Sequence, residues 1–546
     1  MNLRKEQIKG LTELFGSSYI FVPGNGTASA NATDLQNAYN TAKAMTPYGA
    51  ALSATNRVKI ICGAGTYTFG STFTLNTQYI DVISLTGNAD VMINGIAVTA
   101  NDVFVKGINC GTSAFTIANN LNLLVCEKCI AGDSSFGGQQ CNASGTFVDC
   151  TAGNNSFGGG WVGIASGTFI RCTAGNRSFA GYNDTGWGNT ASGIFIDCTC
   201  TGYGSFGGEG TASGTFTNCI AKDIYSFGNN GIASGVFRNC VANGRSFGYN
   251  QPAASTGNFY NCINSGGSGF GGSGKFVNCT NTGDFGFNDN ISGVRTASGT
   301  FTNCASESHS FGSGDADALG SASGTFTGCI ATGECSFGSR GTASGTFVNC
   351  VGETYAFGGW WANEGTGTTG VFINCKGGDS SFGSHVTAYG TFINCRATNY
   401  SFGAYGTASG NFNRCIGGTR SFGGYGGTAS GIFIDCIGTD NCFGGTAAPG
   451  TFTNCNAGFW SFGAGGTASG TFNNCTVVDN GFGAYGAASG TFNRCTAGTN
   501  SFGGATGGTI TGKLFFCRLS SGTFTVPTGS GKLTLCIDGN NSIQTT

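Results

Sequence analysis

Charge is scarce in this chain. Asp, Glu, Lys and Arg make up only 9% of its 546 residues, and the formal net charge is −2. No basic run occurs, so a nucleic-acid partner is not expected, because phosphate binding needs clustered Lys and Arg. Five prolines are too few for a collagen or polyproline architecture. No apolar run approaches the roughly 20 residues of a membrane helix, so no membrane insertion is expected. The two histidines, His309 and His385, stand far apart in sequence. No nucleophile elbow, Walker loop or His-Glu zinc motif is present, and nothing calls for a cofactor. Low charge combined with 101 glycines could signal disorder. The 46 phenylalanines argue against it, because they recur at regular intervals and supply apolar area to offset ordering entropy.

What is abundant is a repeat. Gly145-Thr146-Phe147-Val148-Asp149-Cys150 is followed by Ser156-Phe157-Gly158. The pattern returns at Phe216, Cys219 and Phe227, at Phe326, Cys329 and Phe337, and at Phe492, Cys495 and Phe502. Seventeen Phe-x-x-Cys units run from Phe147 to Phe492, at intervals of 17 to 26 residues. A second Phe follows each Cys by seven or eight residues. Periods of this size mark a solenoid. A coil of about 20 residues this rich in Gly is too short to hold a helix. It fits about three short strands with tight corners, stacked about 4.8 Å apart. The expected fold is therefore all-β, a single-stranded parallel β-helix (β-solenoid) of about 20-residue coils with an N-terminal capping helix. Seventeen coils would span on the order of 80 Å.

Fixed spacing then stacks like on like: Phe over Phe, Cys over Cys, and the second Phe over its counterpart. Ala of Ala-Ser-Gly should face the core with the first Phe. Gly should mark the corners that need positive φ. Asn before many Cys (Asn218, Asn239, Asn261, Asn278, Asn303) predicts an amide ladder between coils. A reduced, buried Cys column is the expectation for the 27 cysteines, with disulfides or metal as alternatives. Cys126-Glu127-Lys128-Cys129 has no second pair at zinc spacing.

Four segments follow. Residues 1–18 carry Leu3, Ile8, Leu11 and Phe15 near helical spacing and read as an anchor or oligomerisation helix, or one packed on its own body. Met1-Asn2-Leu3-Arg4-Lys5-Glu6 has no secretory character, which suggests folding in a reducing cytosol. Residues 19–130 read as the cap and first coils, residues 131–503 as the repeat array, and residues 504–546 as a C-terminal cap. In 19–130, Tyr19–Val22 reads as a strand and Asp34–Ala44 as a helix, with Asn31 or Thr33 as N-cap. Strands are expected at Arg57–Cys62, Ile80–Leu85, Val91–Ile93 and Val103–Val105, and Gly65-Thr66-Tyr67 reads as a turn. In the C-terminal segment Leu514–Cys517, Phe524–Val526 and Leu533–Ile537 are strand-like.

This order resembles the opening of the pectate-lyase-like right-handed β-helix family, especially its phage tailspike and tail-fibre members. In these a short helix caps the first coil, and a Gly-x-Tyr turn starts the winding. The match covers about residues 19–110. The resemblance implies a right-handed, trimeric virion component whose N-terminus meets other virion proteins.

Variation between repeats falls after the second Phe, in the excursions Ala180–Thr190, Asn288–Thr296, Gly312–Ser321 and Gly358–Gly367. Insertions in a solenoid collect on one face, often the binding face. Trp161, Tyr182, Trp187, Tyr249, Trp360, Trp361, Tyr405, Tyr425 and Tyr485 all lie shortly after a Ser-Phe-Gly-type Phe. They should form an aromatic stripe that either contacts glycan or covers loop backbone or a neighbouring protomer. No catalytic residues are expected. Asp184, Asp197, Glu209 and Asp223 read as turn acids, and Asp149, Arg171 and Asp197, equivalent on three successive coils, read as structural. The functional expectation is a structural rod of a phage tail fibre or virion appendage that attaches to host-surface polysaccharide. The alternatives are a β-helix polysaccharide depolymerase and a bacterial surface or filament protein, which would sit at the cell surface.

Overall fold

The computed structural model describes residues 18–546, apart from 139–140, 161, 182–187, 209, 230, 249–254, 289–293, 315–318 and 360–366. The proposed helix within residues 1–18 thus lies outside the described residues except for Ser18. The fold is an all-β parallel β-solenoid of about 21 turns. Two compact units make up the chain, Met1–Phe270 and Gly271–Thr546.

One coil of the second unit serves for all. Strand Thr325–Thr327 pairs in parallel with Thr300–Thr302 before it and Thr346–Val348 after it, with Phe326 between Phe301 and Phe347. Ile330–Ala331 forms a second strand, and Thr342–Ala343 a third. Each is only two or three residues long, because a left-handed residue or a close backbone contact ends it.

The core is two columns of rings. Phe326 stacks on Phe301 and Phe347 at 4.8 Å with interplanar angles of 3°. The second column stacks likewise, Phe337 on Phe311 at 4.7 Å. The two meet edge to face, Phe326 against Phe337 at 5.8 Å and 90°. The first unit repeats this at Phe216, Phe227 and Phe237. Offset stacks and edge contacts are both favoured by ring quadrupoles, at about 0.5–1.5 kcal/mol per pair beyond burial. Phe147 and Phe157 in the first unit, and Phe492 and Phe502 in the second, are fully buried in such columns. Ala of Ala-Ser-Gly is buried as its spacing predicts, for example Ala343 and Ala408.

All 27 cysteines are free thiols, and all but Cys141 are buried. Each repeat thiol donates to a backbone carbonyl, often of the first Phe one coil back, as Cys350 does to Phe326 at 3.4 Å. Cys150 and Cys219 in the first unit, and Cys329 and Cys495 in the second, donate in this way. Burial pushes the Cys62 and Cys442 thiols up to about 12, which keeps them protonated at neutral pH. In the native state we expect thiol-specific reagents to label Cys141 at most, with all 27 thiols appearing on denaturation. A shortfall in the denatured count would mean disulfides.

The amide ladder forms. Asn239 donates to Asn218 at 3.0 Å, and Asn374 to Asn349 at 3.1 Å. Asp149 and Arg171 belong to it as an ion pair at 2.6 Å, and Asp197 accepts from Asn218 at 2.9 Å. A second polar column was not foreseen. The Ser of Ser-Phe-Gly is buried, and its hydroxyl accepts the backbone N–H of the Ser one coil back, Ser381 N to Ser401 at 3.2 Å.

Positive φ is not confined to the glycines expected to adopt it. It falls on the Asn before Cys (Asn349, 54°), on the second Phe (Phe337, 52°) and on the residue two before that Phe (Tyr355, 58°). Asn tolerates this region. Phe does so at a cost of about 1–2 kcal/mol, offset here by full burial in a stack. Gly338, after the second Phe, also lies there at 73°. The Gly of Ser-Gly-Thr-Phe does not, and it is required for another reason: a Cβ on Gly324 would lie 2.2 Å from the Gly299 carbonyl oxygen.

The helix spans Ala28–Ala44, starting earlier than its sequence suggested, and Thr27 caps it by accepting from Ala30 N–H. Asn31 lies within it, buried, and bonds Gly24, Gly26 and Thr66. Leu35 and Tyr39 are fully buried beneath the helix, with Tyr39 edge-on to Phe73 at 5.6 Å. Gly65–Tyr67 is a strand rather than a turn, because it pairs with Val91–Ile93. Three expected strands shift slightly, to Val58–Cys62, Ile80–Ser84 and Phe104–Lys106. Phe524–Val526 is irregular, and the end carries an antiparallel pair, Cys536–Ile537 with Ile543–Gln544.

Candidate functional site

The side chains that face outward most distinctively flank Ser-Phe-Gly. The residue just before it sits at left-handed φ: Tyr400 at 55°, Arg420 at 61°, Trp460 at 60°. This conformation turns the chain so that the following Ser and Phe enter the core while the residue itself stays at the surface. A second column stands just after the Gly, at His385, Tyr405, Tyr425 and Tyr485.

The two columns meet. His385 stacks on Tyr405 at 4.0 Å, and Tyr405 meets Tyr425 edge-on at 4.8 Å. Tyr400 lies nearly parallel to Tyr405 at 5.7 Å. Arg420 donates to the Tyr400 hydroxyl at 2.7 Å, and its guanidinium sits 4.4 Å from the Tyr425 ring centre. Further along, Trp460 packs on Tyr485 at 5.1 Å. Tyr405, Tyr425, Trp460 and Tyr485 nevertheless stay 37–45% exposed. The result is a set of rings held in place by one another, each with surface left for a partner.

A cleft of about 470 Å³ opens among them, lined by Thr354, Tyr355, Asp379, Ser380, His385, Tyr400 and Tyr405. Burial holds the His385 imidazole below its ordinary value. Burial raises the Tyr355 hydroxyl, with Glu334, Cys335 and Asp379 adding to it. Burial likewise raises Tyr405, reinforced by Tyr400 and Tyr425. All three groups are therefore uncharged near neutral pH, and they offer ring faces and hydroxyls rather than ions.

Of the nine aromatics expected from sequence, Tyr405, Tyr425 and Tyr485 lie in these columns. Trp161, Tyr182, Trp187, Tyr249, Trp360 and Trp361 lie outside the described residues. Sequence reasoning missed Tyr355, Tyr400, His385, Arg420 and Trp460. The signal was available in the residue preceding each Ser-Phe-Gly, which is repeatedly aromatic or Arg. Among the described residues no group of three His, Cys, Asp or Glu is placed to hold a metal. Asp223 accepts the Ile224 N–H at 2.8 Å, as a turn acid does, while Asp184 and Glu209 lie outside the described residues. Comparison with protein-family models, with curated proteins and with solved structures finds no match.

Proposed function

We propose that this chain is a structural solenoid of a phage tail fibre or other virion appendage that adheres to host-surface polysaccharide through its aromatic corner. The observation that carries this reading is the ring cluster of His385, Tyr400, Tyr405 and Tyr425 together with the Trp460–Tyr485 pair, pre-assembled by mutual stacking and left partly exposed. Fixed rings flanked by hydroxyls and a carboxylate suit sugar faces, because little side-chain entropy is lost on contact. The Phe, Cys and Asn columns are committed to the core and to inter-coil ladders, while the corner carries the clustered exposed rings. The resemblance of residues 19–110 to tailspike openings supports the virion setting. In this reading the N-terminal segment joins other virion proteins, three copies associate, and assembly takes place in the host cytoplasm.

Purified chain should bind host cells, block adsorption of the corresponding particle, and release no sugar. Appearance of reducing ends or unsaturated sugars from host glycan would instead make it a depolymerase. Absence of cell binding would overturn the adhesion reading.

A further inference from the structure

The corner that precedes each core Cys changes character in the last coils of the second unit. From Asn278 to Asn474 this left-handed position holds Asn, Gly, Arg or Asp. The following coils place Arg494 there, then Phe516 at φ 54° and Leu535 at φ 48°. Asn and Asp tolerate this conformation, and Gly takes it freely. Phe and Leu are strained in it. Phe337 offsets its strain by full burial, but Phe516 and Leu535 are 52% and 51% exposed. Neither can join the amide ladder that this corner builds at Asn374 and Asn474. The fold therefore holds two large apolar side chains outward against local preference, with no compensating contact in the core. Strain kept in this way points to a function at the strained residues.

Charge gathers at the same place. Lys513 and Lys532 stand in register on the strands that lead into the corner. Like charges directly opposite each other on a sheet are destabilising, a second local cost. Arg518 stands on the strand that leaves the corner, in register with Ile537. Arg494 holds the corner one coil before Phe516. All four cations are exposed. Residues 491–546 contain a single acid, Asp538. It is buried and accepts the N–H groups of Asn540 and Ser542, both at 2.9 Å. The apolar surface continues past Leu535 through Ile537 to its antiparallel partner Ile543, which is 68% exposed. A chain of net charge −2 thus ends its coil array in a patch that is both cationic and apolar.

We infer that this patch docks on an anionic lipid surface. Phe516, Leu535 and Ile543 enter the boundary between headgroups and acyl chains, while Lys513, Lys532 and Arg518 meet the lipid phosphates. Both halves of the patch are needed to choose this partner. A polyanionic glycan would engage the cations and leave the apolar side chains in water. An uncharged apolar partner would leave the cations unanswered. The apolar side chains also project from a corner, so they suit a layer that deforms around them. Lys and Arg stems lie along apolar surface while their charges stay at headgroup level, and each cation adds attraction to an anionic leaflet. The contact is peripheral, and no described helix is long and apolar enough to cross a membrane. It is separate from the ring cluster at Tyr405 and does not depend on the glycan reading.

The test is co-sedimentation of the full chain with vesicles of equal parts phosphatidylcholine and phosphatidylglycerol, and with vesicles of phosphatidylcholine alone. Binding to the anionic vesicles is expected to be at least tenfold tighter and to weaken as salt is raised. Phe516→Asn/Leu535→Asn should lower it at least tenfold while the melting temperature stays unchanged or rises. Asn suits the left-handed corner, and two such residues can bond to each other as Asn454 and Asn474 do. Should that variant fail to fold, Lys513→Gln/Lys532→Gln is the second probe, with binding weakened about fivefold per lost charge. No binding to anionic vesicles, equal binding to the two compositions, or undiminished binding by the variant that folds would overturn the lipid assignment. Retention on immobilised polyglutamate without vesicle binding would assign the patch to an acidic protein and overturn it equally.

Discussion

Replacing Phe326 by aspartate is expected to abolish the fold of the coils around it. Phe326 is fully buried, stacked between Phe301 and Phe347 at 4.8 Å and edge-on to Phe311 and Phe337. Removing the ring alone should cost about 3–5 kcal/mol, as for other buried aromatics. The carboxylate adds an unpaired charge among four buried rings, so the total should exceed about 5 kcal/mol. Coils of a solenoid are held chiefly by their neighbours, so the damage should be local at first. The expected result is new proteolytic cleavage near residue 326 and loss of a single cooperative melt. An unchanged melting profile would contradict the stacked-ring core.

Gly324→Ala should also be clearly destabilising, although it adds only one methyl group. The new Cβ would lie 2.2 Å from the Gly299 carbonyl oxygen and 2.8 Å from the Ser298 carbonyl carbon, both backbone atoms of the coil below. Neither can move without breaking the bonds that Ser323 and Gly324 both make to the Ala297 carbonyl. Overpacking of this kind costs about 3 kcal/mol. Gly70→Ala is the control, because nothing lies within 4 Å of a Cβ there. It should be neutral or slightly stabilising, since the unfolded chain loses freedom. Urea unfolding of the two variants separates the cases. Equal midpoints would show that the coils are not in backbone contact at this glycine.

The sequence discloses the scaffold because a coil of nearly constant length converts sequence period into vertical register. Phe326 over Phe301 and Asn374 over Asn349 follow from spacing alone. What spacing cannot disclose is backbone sign. Phe337 lies at φ 52°, against the preference of an aromatic residue, because burial of its ring outweighs the local cost. The Ser hydroxyl column escapes notice for the same reason: it exists only because the left-handed residues on either side take the Ser N–H out of an ordinary strand ladder. The helix start was misplaced because Ala28, Ser29 and Ala30 carry no apolar stripe, while Thr27 supplies the cap. At the candidate site, Tyr405, Tyr425 and Tyr485 were legible as aromatics in the variable segment. Their partners Tyr400, Arg420 and Trp460 precede the motif instead of following it, and only the folding of the corner brings the two sides together.

In the proposed function the repeat is scaffold and the flanks of Ser-Phe-Gly carry recognition. Adhesion of the Tyr405→Ala/Tyr425→Ala chain to host cells, recorded beside its melting curve, tests it most directly. Adhesion should fall at least tenfold while the melting temperature stays within experimental error of the native chain, because both rings are well exposed and outside the core columns. Undiminished adhesion, or a loss that tracks unfolding, would contradict it.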